Sequence, residues 1–300
     1  LCGNAQKRKD KTMEKKDKIG LVLEGGGLRG AYTAGALAWL TDHHIEVDYS
    51  VGISSGAVLL AGYLMGNKDI GYQMAVHFGC EKQNYGLPAL LSEGHYVAYK
   101  RLFQKGLKER AGMDVRPLRE KNPDMEIGLY DLEKGETVWY SAADLDDDLT
   151  LLRGSCSLPI ASAVVDFRGR KILDGGITKM IPIERALEKG CTKMLVITTK
   201  PEGYVRKPGS KMVDFLMRVM YPKYPQMRRD YAVRHINYYK QMDIIAKEVE
   251  KGTCMLVRPS KTIDVGRFKG DPVRLQELYD LGYSDMEARK EELYRFLGKE

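Results

Sequence analysis

The sequence predicts an α/β fold built on a mostly parallel sheet covered by helices, and three observations carry that prediction. Over residues 19–66 the order is strand, Gly loop, helix, strand, Ser turn, helix, the pattern of right-handed parallel crossovers. The 300 residues are 43% hydrophobic and 30% charged, enough for one large domain or two small ones with a sizeable core. From Lys211 onward helical patterning dominates, which adds a helical C-terminal extension to the α/β core.

The elements follow in order. IGLVLE (19–24) is a short apolar strand that runs into GGGLRG, and AYTAGALAWLTDH reads as a helix. IEVDYSVGI is the second strand, broken by SSG and followed by the helix AVLLAGYLMG. Tyr49–Asn67 runs 19 residues without a charge, near the length that spans a bilayer, but its glycines and serines favour a buried strand, a tight turn and a buried helix. A helix is expected around Val97–Arg110. MEIGLYDLEKGETVWYS then reads as a hairpin, and Asp144–Asp148 as a solvated loop. AVVDFRGRKILDGG reads as two strands joined at Arg168-Gly169, KMLVITTK (193–200) as a buried strand, and CMLVRP (254–259) as a strand between helices. The loop TKPEGYVRKPGS is the expected boundary. The chain thus divides into a basic leader (1–17), a catalytic core (18–203) and a mainly helical extension packed on it (204–300), with Met13 reading as a start and 1–12 as added sequence.

Charge is segregated along this plan. The net charge is +7, yet residues 1–20 hold seven Lys/Arg against three acids, residues 204–240 nine against two, and residues 124–148 nine acids against one Lys. The 204–240 segment also holds six Tyr and four Met, but no nucleic-acid-binding motif accompanies them. Within KMVDFLMRVMY, Lys211, Asp214 and Arg218 share one face. Core packing by the apolar remainder is the first expectation, and a lipid-facing or acyl-chain-lining surface the second. Five scattered cysteines without a CxxC pair favour reduced thiols and a cytoplasmic setting, and no histidine pair has ligand spacing, so no metal is expected.

Three motifs carry chemistry. Gly52-Ile53-Ser54-Ser55-Gly56 is a G-x-S-x-G between strand and helix, where a nucleophile elbow needs it, with Gly52 and Gly56 allowing the sharp turn. Gly25-Gly26-Gly27-Leu28-Arg29-Gly30 closes the first strand, and in a parallel sheet both loops emerge at the same carboxyl edge, so its amides can face Ser54. Arg29, a cation near a helix N-terminus, fits loop bracing or binding of an anionic group. Asp174-Gly175-Gly176 puts a carboxylate on a permissive turn at a strand end, a weak signal alone.

Taken together, GGGLRG, GISSG and DGG, with SCSLPIAS (155–162) upstream of the aspartate, resemble the patatin-like phospholipases, most specifically over Lys18–Ile183. The resemblance implies a three-layer α/β/α fold and a serine acyl hydrolase, cofactor-free, acting on lipid or other acyl esters. It implies Ser54 as nucleophile, Asp174 as base, the amides of Gly26, Gly27 and Leu28 as oxyanion hole, and Arg29 as a brace of that loop. Peripheral contact with an anionic membrane surface fits the basic segment.

Two other readings stand beside this one. Gly25-x-Gly27-x-x-Gly30 with Asp48 fits a dinucleotide fingerprint and an oxidoreductase, although Asp48 precedes the apolar part of its strand. A non-catalytic lipid-binding protein on the same fold is the other. His235 follows Asp174 in the order of a Ser-Asp-His triad, but its charged helical surroundings read as solvated or stacking.

Overall fold

Alternate residues of the first apolar run part to opposite sides of a sheet: Leu21 and Leu23 enter one core, Val22 another, and all three are fully buried. The computed structural model describes residues 17–122 and 124–299. Of the basic leader expected over 1–17, all but Asp17 lies outside them.

Eight strands form the sheet: β1 (Ile19–Leu23), β2 (Tyr49–Ile53), β3 (Met125–Asp131), β4 (Glu136–Ser141), β5 (Val165–Phe167), β6 (Arg170–Asp174), β7 (Lys193–Ile197) and β8 (Cys254–Val257). Their order is β5-β6-β3-β2-β1-β7-β8, with β4 also on β3. The run β3-β2-β1-β7-β8 is parallel, while β4, β5 and β6 add antiparallel pairs. Thirteen α-helical segments occur among the described residues. α1 (Gly30–Asp42) and α2 (Ser55–Leu64) follow the first two strands. A cap comprises α3 (Lys68–Tyr72), α4 (Gly86–Glu93), α5 (Tyr99–Arg101) and α6 (Arg116–Lys121), with wide π-type turns over Leu102–Arg110. α7 (Thr150–Cys156) and α8 (Ile183–Glu188) complete the core. The extension carries α9 (Lys211–Met220), α10 (Pro225–Ala232), α11 (Arg234–Glu250), α12 (Pro272–Ala288) and α13 (Lys290–Leu297).

Helices α1, α2, α7, α12 and α13 bury their apolar residues with Leu21 and Leu23, whereas α8 and α11 pack with Val22 and Val51. This gives three layers, helix on sheet on helix. The uncharged stretch Tyr49–Asn67 is β2, a turn and α2, and no helix among the described residues is long and apolar enough to cross a membrane.

Two contacts decide how the parts are held. On β3, Ile53 of β2 pairs with Gly128, and Asp174 of β6 pairs with the next residue, Leu129. β2 runs up β3 and β6 runs down it, so the two strands end head to head on consecutive rungs. The second contact joins α1 to α12. A Cβ on Gly35 would lie 1.9 Å from the Tyr279 carbonyl oxygen, and one on Gly282 would lie 2.0 Å from that of Tyr32. The helices therefore cross backbone against backbone.

One helix departs from the expectation of core packing. α9 buries only Met217, while Met212, Phe215 and Val219 are each 60% or more exposed. The chain spends one edge of this helix on the small cluster formed with Tyr130 and Leu173, which leaves the wider apolar face in solvent.

Candidate active site

Ser54 follows β2 directly and precedes α2, with φ 56° and ψ −130°. A non-glycine residue there stores roughly 1–3 kcal/mol of backbone strain. Gly52 and Gly56 permit it: a Cβ on Gly52 would lie 2.8 Å from the Ala57 backbone nitrogen, and one on Gly56 2.7 Å from the Glu24 carbonyl oxygen. The Ser54 amide donates to Ser155 Oγ of α7 at 2.9 Å, and that hydroxyl reaches the Gly128 carbonyl at 3.4 Å. The turn is thereby tied to β3, and the N-terminus of α2 points at Ser54.

Asp174 ends β6 and is 1% exposed. Its amide donates to the Ser157 carbonyl at 2.8 Å, and its Oδ1 accepts from the Gly176 amide at 2.7 Å. Gly175 begins the turn against the Gly128 carbonyl, and the Gly176 carbonyl accepts from Arg234 Nε. Burial pushes the Asp174 carboxyl above the ordinary carboxylate range; the Arg234 guanidinium is the strongest opposing influence, followed by the Gly176 amide and the Ser54 hydroxyl. Burial also holds the neighbouring Cys156 thiol well above its usual value, which keeps it from competing as a thiolate.

The glycine loop departs in part from the expected trio of donors. The Gly26 amide donates to Ser55 Oγ at 3.0 Å and the Leu28 amide to the Arg267 carbonyl at 3.1 Å. The Gly27 amide, first in a short 3-10 turn, has no partner among the described residues. The Leu28 amide is taken because residues 259–270 lie across the loop, with Arg267 against Gly27 and Gly270 against Leu28, a contact the sequence does not announce. Beneath the loop, fully buried Glu24 accepts from the amide and the hydroxyl of Thr199 and faces Lys200 Nζ at 3.4 Å. Burial draws the Lys200 ammonium down to about 8.

Ser54 sits where two cavities meet. One is apolar, lined by Leu28, Leu59, Met74, Val97, Leu102 and Phe268 among others. The other is polar, and Arg29, Asp174, Lys200, Arg206, Arg234 and Arg267 face it. Arg29 makes no side-chain hydrogen bond to the glycine loop among the described residues. It lines the polar cavity half-buried, and desolvation and then Arg267 pull its pKa down.

The structure thus brings together Ser54, Asp174, the two-glycine turn after it, the Gly25–Gly30 loop and Arg29. It does not bring His235, which lines an adjoining opening that shares Arg206, Arg234 and Arg267 with the polar cavity but includes neither Ser54 nor Asp174. Nor does it bring Asp48, which accepts from the Ile19 amide at 2.8 Å at the amino end of β1, the opposite edge of the sheet from the glycine loop. A ribose-binding acid belongs at the carboxyl edge, so the dinucleotide reading loses its second residue. Ser155, Glu24, Lys200, Arg206, Arg234 and Arg267 were not singled out from sequence. Only the basic excess of residues 204–240 hinted at two of the arginines.

Comparison with known proteins gives two family matches. The model described as patatin-like phospholipase matches residues 21–187, and a domain of unknown function (DUF6363) matches residues 224–298. The protein named YjjU from Escherichia coli (strain K12) is 26% identical over 199 residues, 61% of this chain and 52% of that protein, so the chain spans about half the length of this curated relative. VipD from Legionella pneumophila aligns over 92% of this chain and 67% of its own, with a TM-score of 0.45 and 12% identity. ExoU of Pseudomonas aeruginosa, solved in complex with SpcU, aligns over 92% and 53%, with a TM-score of 0.39 and 14% identity.

Proposed function

The chain belongs to the patatin-like phospholipase family, and on that footing we propose that it is a serine acyl hydrolase in which Ser54 is the nucleophile and Asp174 the base. The observation that carries this reading is the pairing of Ile53 and Asp174 to consecutive residues of β3, which leaves Ser54, the residue after Ile53, and Asp174 lining one cavity with the Ser54 hydroxyl acting on the carboxyl. Ser54 Oγ attacks the ester carbonyl carbon as its proton passes to Asp174. The tetrahedral oxyanion is met by the Gly27 amide and the N-terminus of α2; one such donor supplies on the order of 3 kcal/mol. The bond to the alcohol then breaks, with Asp174 returning the proton to the leaving oxygen. Water attacks the acyl-enzyme, gives its proton to Asp174, and releases the carboxylic acid as Oγ is reprotonated. The Gly26 amide joins the oxyanion site when Ser55 Oγ turns away, and the Leu28 amide only when the Arg267 carbonyl withdraws. The apolar cavity takes the acyl chain, and no metal or organic cofactor enters these steps.

Labelling with a fluorophosphonate probe followed by peptide mapping tests this. Wild type should carry the label on Ser54 and Ser54→Ala none. A folded wild type that resists the probe sinks the hydrolase reading and leaves the lipid-binding one.

The substrate is proposed to be reached at a lipid surface. The exposed apolar face of α9 is bordered by Lys211 and by the Asp214–Arg218 ion pair, and exposed Lys207 precedes the helix, which suits shallow insertion next to anionic head groups. Binding to vesicles containing anionic lipid should weaken several-fold between low and physiological salt and again on Phe215→Ser. Salt-independent binding that ignores Phe215 removes α9 as the contact. The four described cysteines are unpaired, which suits the reducing, cytoplasmic setting proposed with this function.

A further inference from the structure

We infer that the C-terminal extension builds a phosphate-binding subsite beside Ser54 from Arg206, Arg234 and Arg267, and that it selects acyl esters bearing a terminal phosphate. The inference rests on the hydrolase reading for its substrate, but the subsite stands on its own geometry. Five cationic side chains face the polar cavity, and Asp174 is the carboxylate among its lining residues. Lys200 is paired with Glu24 beneath. The four guanidiniums, Arg29 included, have no carboxylate within ion-pair distance among the described residues. Their contacts are of other kinds: Arg206 lies over the Tyr238 ring at 5.2 Å, Arg234 over that of Tyr231 at 5.5 Å, and Arg234 also donates to the Gly176 carbonyl. A guanidinium, planar by its own delocalisation, stacks on an aromatic face and keeps its donor edge free.

Crowding has an electrostatic cost that an anion relieves. Burial and the neighbouring Arg267 draw Arg234 down to about 10. Counting Glu24 and Asp174 against the five cations leaves a surplus of three, which a phosphate dianion offsets better than a phosphodiester monoanion. A choline-type cap would carry a second cation into the same cavity. Bidentate guanidinium–phosphate pairing supplies the specificity. Arg234 and Arg267 both lie in the segment 224–298 matched by the domain of unknown function, which thereby acquires a task at the hydrolase site.

The test has two arms on the intact chain. Turnover of 1-acylglycerol 3-phosphate should exceed that of the matching 1-acylglycerol phosphocholine and 1-acylglycerol by at least about ten-fold in kcat/KM. Arg206→Gln and Arg267→Gln should each shrink that preference about ten-fold, mainly through KM, and Arg→Lys should restore part of it. In the second arm inorganic phosphate is titrated into Ser54→Ala protein by calorimetry, where Arg267→Gln should abolish the binding heat. Fluorophosphonate labelling with equal kcat/KM for the three esters overturns the selectivity while the hydrolase survives. Phosphate binding in a chain that never labels keeps the anion site and overturns the hydrolase, and no phosphate heat in Ser54→Ala overturns the subsite.

Discussion

Asp174→Asn should lower ester turnover by about four orders of magnitude with the fold intact, the scale seen when the carboxylate of a serine-hydrolase triad becomes an amide. Asn keeps the shape of the side chain, and its carbonyl can still accept from the Gly176 amide that now reaches Oδ1 at 2.7 Å. The backbone amide at 174 keeps its bond to Ser157. What disappears is the proposed proton acceptor for Ser54. Steady-state kinetics with a soluble ester measure the loss, and circular dichroism checks the fold. His235→Ala should retain most of the activity because the opening that His235 lines includes neither Ser54 nor Asp174. The reverse pattern would assign the base to the histidine.

With Asp174 as the proposed base, the same residue should set the acid limb of the pH profile. A base works ionised, so kcat/KM falls as pH drops through the Asp174 pKa, and burial has placed that pKa above the ordinary carboxylate range. Arg234 opposes the rise, so Arg234→Gln should move the acid limb to still higher pH. A limb at the position of an unburied carboxylate would contradict this environment for the base.

The largest stability loss is expected at the crossing of α1 and α12. Gly35→Ala should cost ~3 kcal/mol or more, as overpacking against atoms that cannot turn aside does. The new methyl meets the Tyr279 carbonyl oxygen at 1.9 Å and the Tyr283 nitrogen at 3.0 Å, both backbone atoms, so the helices must separate. Gly71→Ala is the control: its Cβ meets only side-chain carbons at 3.6 Å and beyond, in helical backbone, and it should be neutral or slightly stabilising. Urea unfolding compares the two. Equal midpoints would mean that the crossing yields without penalty.

The strands, the elbow and the glycine loop were legible because each is local: an apolar run, a G-x-S-x-G between elements, a triplet of glycines at a strand end. Asp174 was legible only as part of an ordered set of motifs. The antiparallel approach of β6 to β3 is a partner choice between segments some 40 residues apart, and hairpin patterning says nothing of which strand lies on the other edge. α7 was hidden behind the acidic loop, since Gly154, Ser155 and Cys156 give its end no helical periodicity. The arginines at 206, 234 and 267 were opaque for a different reason. They come from two loops and a helix end and read as surface charge until the chain gathers them. α9 misled because amphipathicity records that a helix has two faces, not which face is covered.

The meeting of β2 and β6 on β3 makes the separation of Ser54 and Asp174 first of all a property of interstrand hydrogen bonds. A slip of one residue along β3 would carry Asp174 about 3.3 Å from its place. Such a slip also turns Leu173 and Ile172 out of their buried positions, so the sheet resists it with its whole core. Of the 132–164 connection, Ser155 and Ser157 belong to that register, since they hold the Ser54 and Asp174 amides. Warming that frays only the surface loops should not misalign Ser54 and Asp174 before the sheet itself melts.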